Sequence, residues 1–264
     1  MKTVTSKDNP ALKKARKLLT RKGREENASF LAEGKKLINE ASNAGFQIEN
    51  VFVNAGAVAR GEATSDEYSN EILLEEKLFL DLALTKTPQP FIAVVMQKEA
   101  QERNNTPGLV LILDRINDPG NAGTMIRTAL ASGMDEVWCT KGTVDIFSDK
   151  TIRASAGAIF HMVVRQGLAV EECIDMLRTT NTKLFVCDAS GESFYDTDLR
   201  GHLAIVIGNE SEGPQVQFSQ AADRIVGVPM AKVSESLNAA TAAAVVMYES
   251  LRQRENDPVE RSKN

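Results

Sequence analysis

Short apolar runs alternate with mixed apolar and polar stretches along the C-terminal 160 residues or so. Near-continuous apolar runs separated by helical stretches predict a parallel sheet that is covered on both faces. The predicted strands lie at 109–113, 136–140, 161–165, 183–187, 203–207 and 225–228. The predicted helices lie at 121–132, 148–157, 169–180, 214–220 and 237–253.

Residues 1–96 alternate in the same way on a smaller scale and predict a small α/β domain. A helix is predicted to start at Asn9-Pro10, with Asn as N-cap and Pro at the first helical position, and to end at Gly23. Further strands are predicted at 30–32, 51–53 and 91–96, and further helices at 34–44 and 72–82. Residues 97–108 are polar and end in Pro-Gly, so they predict a linker between domains 1–96 and 109–264.

The composition is that of an ordinary globular protein, with 42% hydrophobic and 25% charged residues. No apolar stretch approaches the roughly 20 residues that a membrane-spanning helix needs. The N-terminus also lacks the apolar core of a signal peptide. We therefore expect a cytoplasmic protein without a membrane partner.

The charge is unevenly distributed, which changes the expectation for partners. Residues 1–24 carry nine Lys or Arg residues against one Asp, a net charge of +8, while the whole chain carries −5. A basic front on an acidic body is suited to contact with a phosphate backbone. The alternative is an ordinary solvated helix face, and only the rest of the chain can favour RNA over that alternative.

Cysteine and histidine are too sparse to predict a metal centre. The three cysteines, Cys139, Cys173 and Cys187, form no Cys-x-x-Cys pair and fall in predicted strands and helices, which favours buried thiols. The two histidines, His161 and His202, do not complete a zinc ligand set, and we expect no metal.

Three segments rich in Gly and Asn carry the candidate chemistry. They are Asp-Pro-Gly-Asn-Ala-Gly-Thr-Met-Ile-Arg at 118–127, Ile-Gly-Asn-Glu-Ser-Glu-Gly-Pro at 207–214 and Ser-Leu-Asn-Ala-Ala-Thr-Ala-Ala at 236–243. The first two follow predicted strands, and open α/β sheets bind ligands at the carboxyl ends of their strands. The three segments therefore predict one composite site, in which Asn121 is expected to cap the helix that follows.

Each segment taken alone also has a structural interpretation. Arg127 can meet a phosphate or a developing charge, or it can form a surface salt bridge. Gly208 can admit a flat ligand to the main chain, or it can serve a tight turn. No phosphate-binding Gly-x-x-x-x-Gly-Lys-Ser/Thr or Gly-x-Gly-x-x-Gly segment is present, which disfavours nucleoside triphosphates and dinucleotides.

Together the segments resemble the three motifs of the SpoU (TrmH-like) branch of the SPOUT RNA methyltransferases. The first motif is matched by Asn121, Gly123 and Arg127, the second by 208–210 and Gly213, and the third by 236–238. The match spans about residues 108–252, and residues 153–158 also look like a family segment. The front of the chain, with 30–34 and 84–89, is similar to the family's substrate-binding extension. Residues 239–241 depart from the family by reading Ala-Ala-Thr, which keeps small side chains.

The resemblance implies a SPOUT domain with a deep C-terminal trefoil knot, preceded by a ribosomal-protein-like α/β domain that binds RNA. It implies a homodimer and the cofactor S-adenosylmethionine. It also implies that the cofactor contacts Gly208, Val228 and Leu237, with Met230 and Asn238 close by. In this interpretation Val228 and Leu237 sandwich adenine while loop backbone reads its edge.

The implied reaction is methyl transfer to a ribose 2′-hydroxyl of RNA, and the candidate catalytic residues in the matched motifs are Arg127, Asn121, Glu210, Ser236 and Asn238. The family residue that matches Arg127 is proposed to deprotonate the hydroxyl. A guanidinium has a pKa above about 12 and is a poor base. We therefore favour an Arg127 that clamps the adjacent phosphate and stabilises the forming alkoxide, with Glu210 or Ser236 relaying the proton.

The basic front and the separate N-terminal domain favour a large structured RNA, and 23S-type ribosomal RNA over tRNA. The main alternative from another class is a non-catalytic RNA-binding or ribosome-assembly protein that keeps the fold. A nucleotide-binding oxidoreductase is a third possibility that rests on the α/β pattern alone.

Overall fold

The computed structural model describes residues 3–98, 108–231 and 237–256. Internal contacts divide the chain into a first unit, Met1–Glu99 with Phe147–Arg153, and a second unit, Ala100–Ile146 with Ala154–Asn264. Of the predicted linker at 97–108, residues 99–107 lie outside the described residues. The predicted boundaries, which do not anticipate the grouping of 147–153 with the first unit, stay predictions.

The first unit is built on a four-stranded mixed sheet. Its strands are β1 (Ser29–Glu33), β2 (Ile48–Asn54), β3 (Glu71–Leu74) and β4 (Phe91–Met96) in the order β1-β4-β2-β3. Strand β4 runs antiparallel to β1 and β2, while β2 and β3 are parallel. The carboxyl ends of β1, β2 and β3 therefore lie at the same edge as the start of β4. The helices are α1 (Pro10–Lys17), α2 (Arg21–Asn27), α3 (Lys35–Asn43), α4 (Ala55–Ala59) and α5 (Glu76–Leu80).

Helix α1 begins where the sequence predicts, because the Asn9 side chain accepts a hydrogen bond from the Leu12 amide and Pro10 follows it. Its apolar stripe is buried against the sheet in one core cluster with Phe52 and Phe79. The cations lie on the other faces, as amphipathic spacing predicts.

Two predictions in this unit are wrong. Gly23 does not end α1; the helix ends at Lys17, and Gly23 lies inside α2, which Thr20 caps. A Cβ on Gly23 would lie 1.9 Å from the Lys17 carbonyl oxygen, so the glycine permits close approach of two turns of chain. Residues 72–82 are not one helical stretch but β3 followed by α5. The apolar run is shared between a strand and a helix, a division that periodicity alone does not reveal.

The second unit contains the predicted parallel sheet. Its six strands are β5 (Leu109–Leu113), β6 (Glu136–Thr140), β7 (Val163–Leu168), β8 (Lys183–Ser193), β9 (Leu203–Ile207) and β10 (Arg224–Gly227). They follow the order β10-β8-β9-β5-β6-β7, and every pair is parallel. The helices are α6 (Pro119–Ala131), α7 (Asp149–Ser155, which the unit boundary crosses), α8 (Val170–Thr179), α9 (Val216–Ala221) and α10 (Ala239–Glu255).

Most predicted elements of this unit are found within a few residues of their predicted bounds, with two corrections. The strand predicted at 183–187 continues to Ser193, and its last residues pair with β10 after a shift in register. The strand predicted at 161–165 starts at Val163 and runs to Leu168. Left-handed backbone at Ala156 and Gly157 and a 3-10 turn at Ala158–Phe160 occupy the chain before it. Among the described residues, no helix combines the length and apolarity needed to cross a bilayer.

Candidate functional site

The three motif segments meet at the carboxyl edge of the parallel sheet of the second unit. A hydrogen-bonded chain of side chains joins them: Asn238 Nδ2 donates to Asn121 Oδ1 at 2.9 Å, and Asn121 Nδ2 donates to Glu210 Oε1 at 2.8 Å. These residues lie at the start of α10, in the first turn of α6 and in the loop after β9. The composite site predicted from the sequence is therefore present, and we call this chain of side chains the polar relay.

The direction in which hydrogen bonds are donated along the polar relay is determined by the residues at its two ends. Asn238 is the N-cap of α10, and its Oδ1 accepts from the amides of Ala240 and Thr241, so its Nδ2 must donate outward. Asn121 then accepts with its oxygen and donates with its nitrogen. The final acceptor, Glu210, has to offer a lone pair, which a carboxylate does.

Asn121 reaches the polar relay because it does not cap α6, contrary to the prediction. The N-cap is Asp118, whose Oδ1 accepts from the Asn121 amide at 2.7 Å. Pro119 occupies the first helical position, where its missing N–H is not needed. The Asn121 side chain is consequently left for contacts across the site.

A cavity of about 380 Å³ opens beside the polar relay. This volume lies in the range of small-molecule sites. Its walls are mainly apolar, with two carboxylates, Asp188 and Glu210, among the lining residues. The remaining lining residues are Cys187, Ala189, Ile207, Gly208, Asn209, Gly213, Pro214, Val226, Gly227, Val228, Met230, Leu237, Asn238, Ala239 and Ala242.

All five predicted cofactor-contact residues line this cavity: Gly208, Val228, Met230, Leu237 and Asn238. Gly208 is constrained by packing, since a Cβ there would lie 2.1 Å from the Pro214 nitrogen. The loop after β9 therefore folds closely onto its own strand end. The apolar walls and the carboxylates suit a ligand with a flat aromatic part and positive charge.

The predicted catalytic residues are only partly brought together. Glu210, Asn121 and Asn238 form the polar relay, whereas Ser236 lies outside the described residues. Arg127 lies on α6 with an exposed side chain and makes no hydrogen bond or ion pair within the described part of the chain. The surface salt bridge considered for Arg127 is thus not found there, and its guanidinium is available to a ligand.

Sequence reasoning missed Asp114, the buried anchor of the site. Its Oδ2 accepts from the Gln215 amide at 2.7 Å, and its Oδ1 accepts from Gln215 Nε2 at 2.6 Å and Thr140 Oγ1 at 2.8 Å. Asp114 is fully buried and directly follows β5. It therefore ties the loop after β9 to the end of β5. An acidic residue at the end of an apolar strand was the available signal.

The thiols match the predicted buried state for Cys139 and Cys173, and Cys187 is half-buried at the cavity wall. Burial raises the pKa of each thiol to about 12. The thiolate needed for nucleophilic attack is therefore scarce at neutral pH. Within the described residues, no group of three or more His, Cys, Asp or Glu side chains is arranged to hold a metal ion.

Comparison with known proteins identifies a family for each of the two parts of the chain. Residues 108–248 match the model of the SpoU rRNA Methylase family, and residues 9–93 match the MRM3-like substrate binding domain. The chain is 34% identical to the 23S rRNA (guanosine(2553)-2′-O)-methyltransferase RlmP of Bacillus subtilis over 250 residues, which cover 94% of this chain and 98% of that protein.

Solved structures show the same fold. The S-adenosylmethionine complex of the SpoU methyltransferase AviRb from Streptomyces viridochromogenes has a TM-score of 0.82 at 25% identity, covering 94% of this chain and 99% of that one. The S-adenosylmethionine-bound rRNA methyltransferase of Sinorhizobium meliloti also has a TM-score of 0.82, at 28% identity over 95% and 97% of the two chains. The chain therefore belongs to the SpoU rRNA Methylase family, as an enzyme that uses S-adenosylmethionine to methylate a ribose 2′-hydroxyl of RNA.

Proposed function

We propose that the RNA substrate is 23S-type ribosomal RNA and that the second unit holds both cofactor and reacting ribose at the polar relay. The observation that carries the site assignment is the joining of the three motif segments beside the apolar cavity. The 23S substrate is supported by RlmP, whose name gives 23S rRNA as its target. A second relative, the 23S rRNA (uridine(2479)-2′-O)-methyltransferase of Streptomyces viridochromogenes, is 26% identical over 89% of this chain.

S-adenosylmethionine, when bound, supplies an electrophilic methyl group on a sulfonium sulfur. Val228 and Leu237 would hold the adenine between apolar surfaces, with Met230 beside them, while the main chain at Gly208 lines the same cavity. The carboxylates of Asp188 and Glu210 favour the positive charge of the cofactor.

Arg127 and the polar relay serve the ribose. The Arg127 guanidinium, which has no ion-pair partner among the described residues, clamps a phosphate next to the reacting nucleotide and stabilises the oxyanion that forms at the 2′-oxygen. Glu210 has the acceptor character needed to take the hydroxyl proton, directly or through Ser236. Asn121 and Asn238 keep the Glu210 carboxylate in place, because each amide group is itself held by its neighbour.

We also propose a homodimer, a trefoil knot and a cytoplasmic location. Dimerisation is supported by the exposed side chains of Leu130 on α6 and Tyr248 on α10, two helices that pack on each other. The knot is supported by the resemblance, by β10 lying beyond β8 at the sheet edge and by the return of α10 onto α6. A ribosomal RNA substrate favours the cytoplasm.

The test is a map of ribose methylation in total RNA from cells with and without the gene. We expect one 2′-O-methylated nucleotide of 23S rRNA to be lost in the deletion strain and restored by the wild-type chain. Loss of a tRNA methylation instead would overturn the proposed substrate. An unchanged map, together with no binding of S-adenosylmethionine to the purified protein, would favour a non-catalytic RNA-binding protein.

A further inference from the structure

The first unit contains a buried carboxylate that organises one surface loop. Glu33, at the end of β1, is buried. Its Oε2 accepts from the Leu84 amide at 2.8 Å, and its Oε1 accepts from Thr85 Oγ1 at 2.5 Å and from the Gln89 amide at 3.2 Å. Burial of a carboxylate is costly unless hydrogen bonds compensate it. Here all three donors belong to residues 84–89, so Glu33 holds that loop in one conformation.

The Glu33-anchored loop lies against the start of α3. Gly34 separates β1 from α3 with a positive φ of 96°, and a Cβ on Gly34 would lie 2.5 Å from Gln89 Oε1. The backbone of Gly34 also donates to the Phe91 carbonyl at 2.9 Å. Residues 34–36 and 84–89 therefore adjoin at this edge of the sheet, and we call the two segments together the anchored edge.

The anchored edge presents cations that the protein itself does not neutralise. Lys36 and Lys86 are exposed and form no ion pair within the described part of the chain. Lys35, next to Lys36 in sequence, pairs with Glu67 and is therefore not counted among the contacts. Thr87 adds a hydroxyl group suited to phosphate or 2′-hydroxyl contact, and Thr85 Oγ1, which donates to Glu33, can still accept from a 2′-hydroxyl.

The basic front of the chain is neutralised to a much greater extent. Five of its cations form ion pairs with carboxylates of the same unit. The pairs are Lys13 with Asp8, Lys14 with Glu49, Arg16 with Asp81, Arg21 with Glu25 and Lys22 with Glu26. The +8 of residues 1–24 thus overstates the positive charge that this face offers.

We propose that the anchored edge is the surface of the first unit that contacts the backbone of structured RNA, with Lys36 and Lys86 as phosphate contacts. Glu33 is a positioning residue, which acts by holding Thr85 and Lys86 in place. This inference rests on the proposed function only in taking RNA as the partner. In it the anchored edge, and not the basic face of α1 and α2, is the main RNA contact of the first unit.

The first experiment measures binding of the full-length protein to unmodified 23S rRNA transcribed in vitro. The KCl concentration is varied from roughly 50 to 200 mM, because affinity that depends on phosphate contacts falls steeply over this range. The test variant is Lys36→Gln with Lys86→Gln, and the matched control is Lys13→Gln with Lys22→Gln. Loss of two phosphate contacts should weaken binding about tenfold and reduce the salt slope by about 1.5. The control should stay within about twofold of wild type, since each of its lysines lies beside a carboxylate of this unit that offsets its charge.

A second pair of variants tests the anchoring. Glu33→Gln keeps one acceptor oxygen but replaces the other by an NH2 group, which faces donors of the loop, and it should weaken RNA binding. Glu71→Gln is the control, because Glu71 is also buried and accepts from the amides of Asp66, Glu67 and Tyr68, but anchors an acidic loop. We expect Glu71→Gln to lower thermal stability without changing RNA affinity.

Binding of S-adenosylmethionine separates this inference from the proposed function, and every variant should retain wild-type affinity for it. Wild-type RNA affinity and salt slope in the double Lys36 and Lys86 variant would overturn the anchored edge while leaving the enzyme assignment intact. Equal losses in the Lys13 and Lys22 control would move the contact to α1 and α2. A wild-type chain that binds neither cofactor nor RNA would instead defeat the proposed function.

Discussion

At the scale of single residues, the site depends on side-chain amides that accept a hydrogen bond with their oxygen and donate one with their nitrogen. Asn238 uses its oxygen to cap α10 and its nitrogen to hold Asn121, which in turn holds Glu210. An amide is the smallest side chain that accepts at one end and donates at the other. The polar relay therefore converts a helix cap into a constraint on a carboxylate near the proposed reaction centre.

Asn121→Asp should break the polar relay while preserving its size. The new carboxylate cannot donate to Glu210, and it places a second negative charge within hydrogen-bonding distance of the first. We expect methyl transfer at saturating cofactor and RNA to fall about 100-fold, the order found when one catalytic hydrogen-bond donor is removed. A radiolabelled methyl-transfer assay measures the rate, and a cofactor titration measures binding.

Asn181→Asp is the matched control, because Asn181 is exposed and its φ of 50° suits Asp as well as Asn. Its methyl-transfer rate should equal that of wild type. A wild-type rate in the Asn121 variant would contradict the role of the polar relay. So would a rate loss that is fully explained by weaker cofactor binding.

Arg127→Lys tests whether geometry or charge matters at the proposed phosphate clamp. Lysine retains the charge but loses the planar fork that bonds two oxygens at once. We expect the rate constant for methyl transfer to 23S rRNA, measured in single-turnover assays, to fall at least tenfold. Cofactor affinity, measured by titration, should be unchanged. Arg178→Lys on α8, whose exposed side chain pairs with Asp175, provides the control. Near-full methylation by the Arg127 variant would rule out the bidentate role.

At the scale of elements, loops at the ends of strands are held by buried anchors. Asp114 binds both the backbone and the side chain of Gln215, and Asn209 Nδ2 donates to the Arg115 carbonyl at 2.9 Å. These bonds join the end of β5 to the loop after β9, which contributes Gly208 and Pro214 to the cavity. Cavity shape is therefore coupled to a residue that does not line it.

Asp114→Asn should weaken cofactor binding through this coupling. An amide at this position leaves a buried donor of Gln215 or Thr140 without its acceptor, which costs about 2 kcal/mol in the free energy of unfolding. We also expect about tenfold weaker binding of S-adenosylmethionine, equivalent to roughly 1.4 kcal/mol. Urea unfolding and isothermal titration measure the two effects.

Glu136→Gln is the control, because Glu136 is also fully buried and bonded, to Trp138 and Arg165, but lies at the start of β6, whereas the cavity lies at the carboxyl ends of the strands. This variant should lose stability and keep its cofactor affinity. Equal loss of cofactor affinity in both variants would mean that Asp114 acts only through general stability.

Most elements were predictable because their signals are local. Asn9-Pro10 starts α1 and the apolar run at 109–113 forms β5, since cap chemistry and strand hydrophobicity involve only neighbouring residues. Predictions failed where a residue serves a distant contact. Gly23 admits the Lys17 carbonyl instead of ending a helix, and Asn121 turns to Glu210 because Asp118 already caps α6.

At the scale of the whole molecule, the proposed dimer gives the exposed apolar residues of α6 and α10 a function. Leu130→Glu with Tyr248→Glu should shift the protein to a monomer in light scattering coupled to size exclusion, because two buried charges oppose association. Leu80→Glu, at a leucine on α5 of the first unit that is more exposed than Leu130, should leave the oligomeric state unchanged. A wild-type chain that is already a monomer at micromolar concentration would contradict the dimer.

The sequence by itself determined the order of elements in the second unit, the parallel character of its sheet and the three motifs, because each depends on a short window of residues. Only the tertiary structure decided which side chains meet. Glu210 accepts from Asn121, 89 positions away, Asn238 donates to Asn121 across 117 positions, and Gln215 donates to Asp114 across 101. Such pairs arise because parallel strands bring their carboxyl ends to one edge, and no local periodicity records which residues then come within hydrogen-bonding distance. The same reason explains why charge counts suggested the front of the chain as the RNA contact, whereas the ion pairs of the folded unit favour the anchored edge.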